Sequence, residues 1–325
     1  MLFIPHKHLY ISGTSYISAD EPDYKEVITD ANSRRRMGRL LKMAVWCGLK
    51  SLDGVTSERV TGIITSTGAG FMKDTISFGS SIFDREETLL NPSPFMQSTF
   101  NTASGYIALI RKIHAYNTTY VQQADGFAAS IIDAAMLLDD AGEGDVALVG
   151  AFDEVTPEVD VIRQRLGLYR VGDGFLPLGE GAAAFLLSAA MPTDVSESCP
   201  ATEMSAGPCD EFGSESSSEP LHEYGGTSLR SLNGTKDGNA ALRFCGLANF
   251  SDLQKCAENP IAELFGINAG VNVISCADHV KSLGAFRSLL PVLLCKLISV
   301  QQIPDGYTAI VDDVNEDGVI ILLHK

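Results

Sequence analysis

The sequence predicts an α/β fold in which sheets are covered by helices. Strand-like runs alternate with helix-like runs along the chain, and the runs at 145–150 and 181–188 are apolar enough to read as buried strands. The length of 325 residues, with 45% hydrophobic and 20% charged content, suits one large α/β unit or two similar halves.

Residues 8–17 read as the first strand. A helix follows over 34–52, with Leu40, Leu41, Ala44, Val45 and Leu49 at helical spacing. Val60–Ser66 is a β-branched strand that ends in the loop Thr67-Gly-Ala-Gly70, and residues 95–113 read as one helix. Residues 119–135 read as a short buried strand, a sharp turn containing Gly126 and an apolar-periodic helix. Such a turn sets Gln123 at the positive end of a helix dipole. The two buried strands come next, the second after the turn Leu178-Gly-Glu-Gly181.

Composition changes at Pro192. Residues 193–220 are rich in Ser, Glu, Asp, Gly and Pro without an apolar period, and read as a solvated, acidic connector. This divides the chain into an N-terminal half (1–192), the connector (193–220) and a C-terminal half (221–325). The latter offers a strand before Asn233, a strand at 271–276, an apolar helix at 284–300 and closing strands at 307–313 and 318–324. Each half ends in two strands after a long apolar helix, a hint of internal duplication without a sequence repeat.

Several function classes are disfavoured. A net charge of −17 argues against nucleic acid or an anionic membrane as partner. The longest apolar runs, 182–191 and 289–294, are too short to span a bilayer, and residues 1–20 lack the pattern of a signal peptide. Seven scattered cysteines without CxxC or zinc spacing fit a reducing cytoplasm. No cofactor is expected. Gly68-Ala-Gly70 with Lys73 faintly resembles a phosphate cradle but lacks the spacing of GxxxxGK[ST]; His6 and His8 have no matching ligand set; no GxSxG occurs.

Four segments in order resemble the β-ketoacyl synthase family. Arg35-Arg-Met-Gly-Arg-Leu-Leu-Lys-Met-Ala44 resembles its early basic helix. Asn91-Pro-Ser-Pro-Phe-Met-Gln-Ser98, with Asn101 and Gly105, is similar to "NPxxFxxSxxNxxxG". Asp145-Val-Ala-Leu-Val-Gly-Ala-Phe-Asp-Glu154 resembles "DxxLVGGxDE", and Asp173-Gly-Phe-Leu-Pro-Leu-Gly-Glu-Gly-Ala182 resembles "DGFVxGEGA". The resemblance implies a thiolase-like fold: two similar βαβαβαββ halves packed as α-β-α-β-α layers, here with the second half shortened.

It also implies a site with a cysteine to accept an acyl chain and two histidines to stabilise the oxyanion and the enolate. Gln123 stands at the cysteine's place, and no cysteine occurs between Cys47 and Cys199. The nearest match to "HGTGTxxxD" begins at Asn233. Aligning Gly284-Ala285 with "KSxxGHxxGAAG" puts Lys281 at the histidine, with His279 two residues away. The glycine-rich loop near the family's C-terminus has no match in 311–318.

Gln123-Ala-Asp-Gly126 is similar to the Gln-Ala-Gly-Gly of chain-length factors, impaired ketosynthase homologues that pair with an active ketosynthase, and departs only at Asp125. Three readings follow. The first is a non-condensing partner of a cysteine-bearing ketosynthase, in fatty-acid, polyketide or polyene-type synthesis. The second is an active synthase with an unusual site, for which Cys276 is the nucleophile by position. The third is a homodimeric acyl-binding protein. Gln123 either hydrogen-bonds a carbonyl in place of the thiol or satisfies local backbone groups. Phe100, Tyr106 and Phe127 are the candidate tunnel and interface residues. Arg35, Arg36 and Arg39, in a basic cluster with Arg34 and Lys42, either receive an acidic acyl carrier protein or form a solvated helix face.

Overall fold

Strands that are apolar on both faces need cover on both faces, and the chain meets that need with five layers. The computed structural model describes residues 2–18, 20–122, 125–189, 242–253, 260–315 and 318–325. The chain opens with β1 (Leu2–Phe3) and β2 (Leu9–Ile17). Helices α1 (Ala31–Arg36) and α2 (Arg39–Ser51) lead to β3 (Val60–Ser66). Then α3 (Met72–Asp84), α4 (Pro92–Gln97) and α5 (Thr102–Arg111) lead to β4 (Tyr116–Tyr120). Next come α6 (Asp125–Asp139), β5 (Val146–Asp153), α7 (Pro157–Leu166), the hairpin β6 (Arg170–Val171) and β7 (Gly174–Phe175), and β8 (Gly181–Ser188). Beyond the connector lie β9 (Arg243–Asn249), α8 (Phe250–Leu253), α9 (Pro260–Leu264) and β10 (Val271–Ser275). The chain closes with α10 (Val280–Leu283), α11 (Leu289–Ser299), β11 (Tyr307–Val311) and β12 (Val319–His324).

The duplication hinted at by the sequence is present in the topology. The earlier strands lie in the order β4-β3-β5-β8-β2 and the later ones in the order β10-β11-β12-β9. From β3 to β2 the pairings run parallel, antiparallel, antiparallel, and from β10 to β9 they run the same way. Among the described residues, the later set has no strand in the outermost place that β4 fills. The two sets join through Leu9↔Phe244 and Tyr10↔Arg243.

Side-chain parity sorts the core into layers. In β8, Ala183, Phe185 and Leu187 face a central cluster shared by α6 and α11, whereas Ala182, Ala184 and Leu186 face α2 and α5. In β12, Ile321 and Leu323 face the central cluster, and Ile320 and Leu322 face Ile261 of α9. Nine of the eleven residues of α11 are buried, as a helix enclosed between two sheets requires. Each such Leu, Ile or Val removed from water contributes about 1.5–3 kcal/mol.

Several expectations change. The helix read over 34–52 is two helices, because Met37 and Gly38 are extended (ψ 132° and 168°). The Gln97 side chain holds that break: its carbonyl oxygen accepts from the Gly38 N–H at 2.8 Å and its amide donates to the Arg36 carbonyl. The helix read over 95–113 is also two, and the Thr102 hydroxyl bonds the Met96 carbonyl at 3.0 Å across the gap. β4 is an edge strand with Tyr116 and Asn117 exposed, not a buried one. Gly126 lies inside α6, where its N–H donates to the Gln122 carbonyl at 2.8 Å, and not in a turn. Helices α3 and α7 were not anticipated. The connector at 193–220 and the strand before Asn233 lie outside the described residues.

Tyr10 pairs with Ser188 on one side and Arg243 on the other. The strand ends that flank residues 190–241 therefore lie about 10 Å apart, two strand spacings. Replacing that segment with about six Gly and Ser residues is expected to keep the circular dichroism spectrum and to shift Tm by less than about 4 °C. A Tm loss of more than about 10 °C in a thermal melt would show that residues 190–241 support the core.

Candidate functional site

In sheets with parallel strands, ligands bind outside the strands' carboxyl ends. Here those ends, from β3, β5, β10 and β11, meet along a seam between the two strand sets. Its centre is Asp153, the last residue of β5, which is 5% exposed. Its Oδ1 accepts from the Thr67 hydroxyl at 3.0 Å and from the N–H groups of Gly68 and Ala69 at 2.8 and 3.1 Å. Its Oδ2 is 2.5 Å from the Ser288 hydroxyl. The glycine loop that faintly resembled a phosphate cradle thus turns its amides onto an internal carboxylate. Burial pushes the Asp153 carboxyl above its ordinary value, and the bonds from Ser288, Ala69, Gly68 and Thr67 oppose that shift.

The Gly-Glu-Gly turn before β8 packs backbone to backbone on the segment after α10. The Ala285 N–H donates to the Pro177 carbonyl at 2.8 Å, and the Gly179 N–H to the Ala285 carbonyl at 3.3 Å. A Cβ at Gly179 would lie 1.8 Å from the Leu283 carbonyl oxygen, so the approach requires glycine. Glu180 accepts from the Val155 N–H at 3.1 Å and pairs with Arg39, which also holds Glu21. Arg39 therefore serves internal carboxylates, while Arg35 and Arg36 stay exposed.

Arg287 completes the seam. Its Nη1 donates to Asn315 Oδ1 at 3.4 Å, and its guanidinium lies 5.9 Å from the centre of the Tyr169 ring. The Tyr169 hydroxyl donates to the same Asn315 oxygen at 2.9 Å. Asn315 is fixed by Asp312, which accepts from its side-chain amide at 2.7 Å and its N–H at 3.2 Å. Asp313 accepts from the Ser275 hydroxyl at 2.5 Å and the Ala277 N–H at 2.9 Å.

Of the residues expected at the site, Lys281 is exposed on α10. His279 is half-buried, and its imidazole is held below the usual value by burial, with Lys296 adding and Asp278 opposing. Cys276 is fully buried; burial, then Asp312 and Asp313, push its thiol well up, which leaves it protonated and a poor nucleophile. Gln123 and Asn233 lie outside the described residues. Phe127 is buried, edge-on to Phe185 at 5.6 Å. Tyr106 is half-buried against the α2 core. Phe100 lies in the gap between α4 and α5, its ring over Gly70, and not within a helix.

A second feature lies at the β4 edge. A cleft of about 550 Å³ is lined by residues 98–101 together with Asn117, Thr118, Thr119 and Val121. Of its lining, Phe100 and Val121 are exposed; Leu109 and Ile110 at the end of α5 and Tyr116 at the start of β4 are exposed as well, Leu109 at 73%. The Tyr116 and Tyr120 hydroxyls both donate to Asp133 Oδ2, at 3.0 and 3.1 Å, bracing the edge strand on α6. Among the described residues no three His, Cys, Asp or Glu side chains are placed to hold a metal, and no helix is long and apolar enough to cross a membrane.

Sequence reasoning missed Arg287, Ser288, Tyr169 and Asn315. The available signal was that Arg287 falls on the last glycine of the aligned "GAAG".

Comparison with known proteins agrees with this architecture. Residues 14–169 match the model of the β-ketoacyl synthase N-terminal domain. The structure superposes on "The ishigamide ketosynthase/chain length factor" with a TM-score of 0.63 at 14% identity, covering 97% of this chain and 98% of that one. It superposes with a TM-score of 0.63 at 14% identity, covering 98% and 99%, on a type II polyketide acyl-carrier protein in complex with its ketosynthase bound to the hexaketide. A ketosynthase in complex with its chain length factor from Xenorhabdus doucetiae gives 0.51 at 12%, covering 98% and 99%. No curated protein matches the chain by sequence.

The strand order, the five layers and these likenesses define a thiolase-like fold. Over residues 14–169 the chain carries the β-ketoacyl synthase N-terminal domain, and its fold resembles those of ketosynthases and chain length factors.

Replacing Asp153 tests the seam. Asp153→Ala leaves four donors without an acceptor and is expected to cost about 3 kcal/mol or more. Asp153→Asn keeps one carbonyl acceptor and should cost less. Because the folded carboxyl titrates above its unfolded value of 3.8, wild-type stability relative to Asp153→Asn is greatest below that value. It falls as pH rises through the folded pKa. Urea denaturation of both proteins from pH 4 upward checks the sign; a flat difference would mean the carboxyl is not perturbed.

Proposed function

We propose that this protein is a non-condensing, chain-length-factor-like subunit that pairs with a cysteine-bearing ketosynthase. The observation that carries the reading is the open edge at β4. An edge strand presents unpaired backbone groups; here Phe100 and Val121 line a cleft beside it, and Tyr116 of the strand and Leu109 and Ile110 of α5 are exposed too. A ketosynthase seated on this edge closes the cleft into part of a tunnel, whose length is set where a bulky side chain blocks it. Phe100 is the chosen blocker.

The chemistry of the chain supports a subunit without its own nucleophile. Gln123 stands where the resemblance puts the cysteine, and Cys47, Cys276 and Cys295 are buried with their thiols pushed up by burial. The partner supplies the thiol. Exposed Arg35 and Arg36 offer a basic spot to an acidic acyl carrier protein. The setting is cytoplasmic synthesis of a fatty-acid or polyketide chain, the polyene type included.

Intact mass after incubation with acyl-carrier-protein thioesters tests the missing nucleophile. No adduct on the isolated chain is expected, with condensation only once a cysteine-bearing ketosynthase is added. A stoichiometric adduct would overturn the reading. The interface is tested by Leu109→Asp combined with Val121→Asp. Both side chains are exposed, so Tm should hold while affinity for the ketosynthase falls by roughly tenfold or more. Sedimentation of the isolated chain as a tight homodimer that retains an acyl chain would favour a self-contained acyl-binding protein instead.

A further inference from the structure

Three features of the seam point the same way. Arg287 falls where the aligned family motif has a glycine, and its stem lies across Gly68: a Cβ on Gly68 would be 2.6 Å from Arg287 Cγ and 2.8 Å from its Cβ. The guanidinium then reaches Asn315, on the loop after β11, and stacks on Tyr169, in the segment between α7 and β6. The aspartates at the strand ends, Asp153, Asp312 and Asp313, are each engaged by donors of the chain itself.

We propose that Arg287 is the residue that closes the crevice at the strand ends, excluding the acyl-pantetheine arm that a condensing enzyme must admit. The inference rests on the proposed non-condensing role and adds a physical cause to it: besides a missing thiol, the chain has a barred entrance. The bar is steric along the arginine stem and polar at its tip. Tyr169 and Arg287 share one Asn315 oxygen, and Asn315 is itself held by Asp312, so the tip is anchored on both sides of the seam. An entering neutral thioester arm would have to displace a cation–π contact and a hydrogen bond as well as the arginine stem. Glycine at 287 removes the stem and the tip together.

The test is binding of dodecanoyl-pantetheine to the full chain, read by calorimetry and native mass spectrometry. Wild type should show no saturable binding, and Arg287→Gly should bind at least roughly tenfold more tightly. Wild-type binding equal to that of Arg287→Gly would overturn the proposal. So would a folded Arg287→Gly protein that binds nothing. If that variant does not fold, Asn315→Gly removes the anchor while leaving the arginine, and is judged by the same comparison. Association with the ketosynthase is measured in the same samples. Its absence in wild type counts against the partner role and leaves the binding result standing.

Discussion

Burial of strands on both faces is the constraint from which the rest of this molecule follows. β5, β8 and β12 carry apolar side chains at nearly every position, so each needs helices on one side and a second apolar layer on the other. The shared solution is the central layer, where α6 and α11 lie between the two strand sets. Because one layer serves both sets, their carboxyl ends come to face each other. The loops after β3, β5 and β11 and the segment before α11 must then meet. The seam is a geometric consequence of that shared core.

What fills the seam depends on polar satisfaction at depth. A buried carboxylate such as Asp153 is costly unless donors surround it. The Thr67 hydroxyl, two loop amides and Ser288 supply them. Those same amides would otherwise be the natural cradle for an anionic ligand. The chain has spent its loop donors on its own cohesion, and Arg287 with Asn315 ties the later loop into the same network.

Most strands were legible in the sequence because a doubly buried strand leaves an uninterrupted apolar run, whereas the repeated strand order was only hinted at, and β9, which joins the two sets, was not read. The helix breaks were not legible. Periodicity over 34–52 continues through Met37 and Gly38, and only the Gln97 side chain, about sixty residues on, shows why the backbone opens there. Helix α3 was hidden for a related reason. Its sequence holds Gly79 and several Ser and Thr, weak helix formers, and part of its support is the Glu154 carboxylate accepting the Lys73 N–H at 2.9 Å from the end of β5. At the site, the motif around Asp153-Glu154 was visible, but its partners lie in other parts of the chain. The loop 67–70 was misjudged because composition cannot reveal which way an amide points.

The edge at β4 and the seam carry opposite signatures, and that contrast bears most on function. At the seam, Asp153, Asp312, Asp313 and Asn315 are paired, and Cys276 is buried with its thiol pushed up. At the edge, large apolar side chains stand in water beside a cleft, braced by two tyrosines on Asp133. Edges left open and apolar are an aggregation hazard that chains normally blunt with charge or proline. Keeping one open, and rigid, costs solubility and is explained when a partner covers it. The open edge, more than the residue at position 123, is the feature on which the proposed partner role rests.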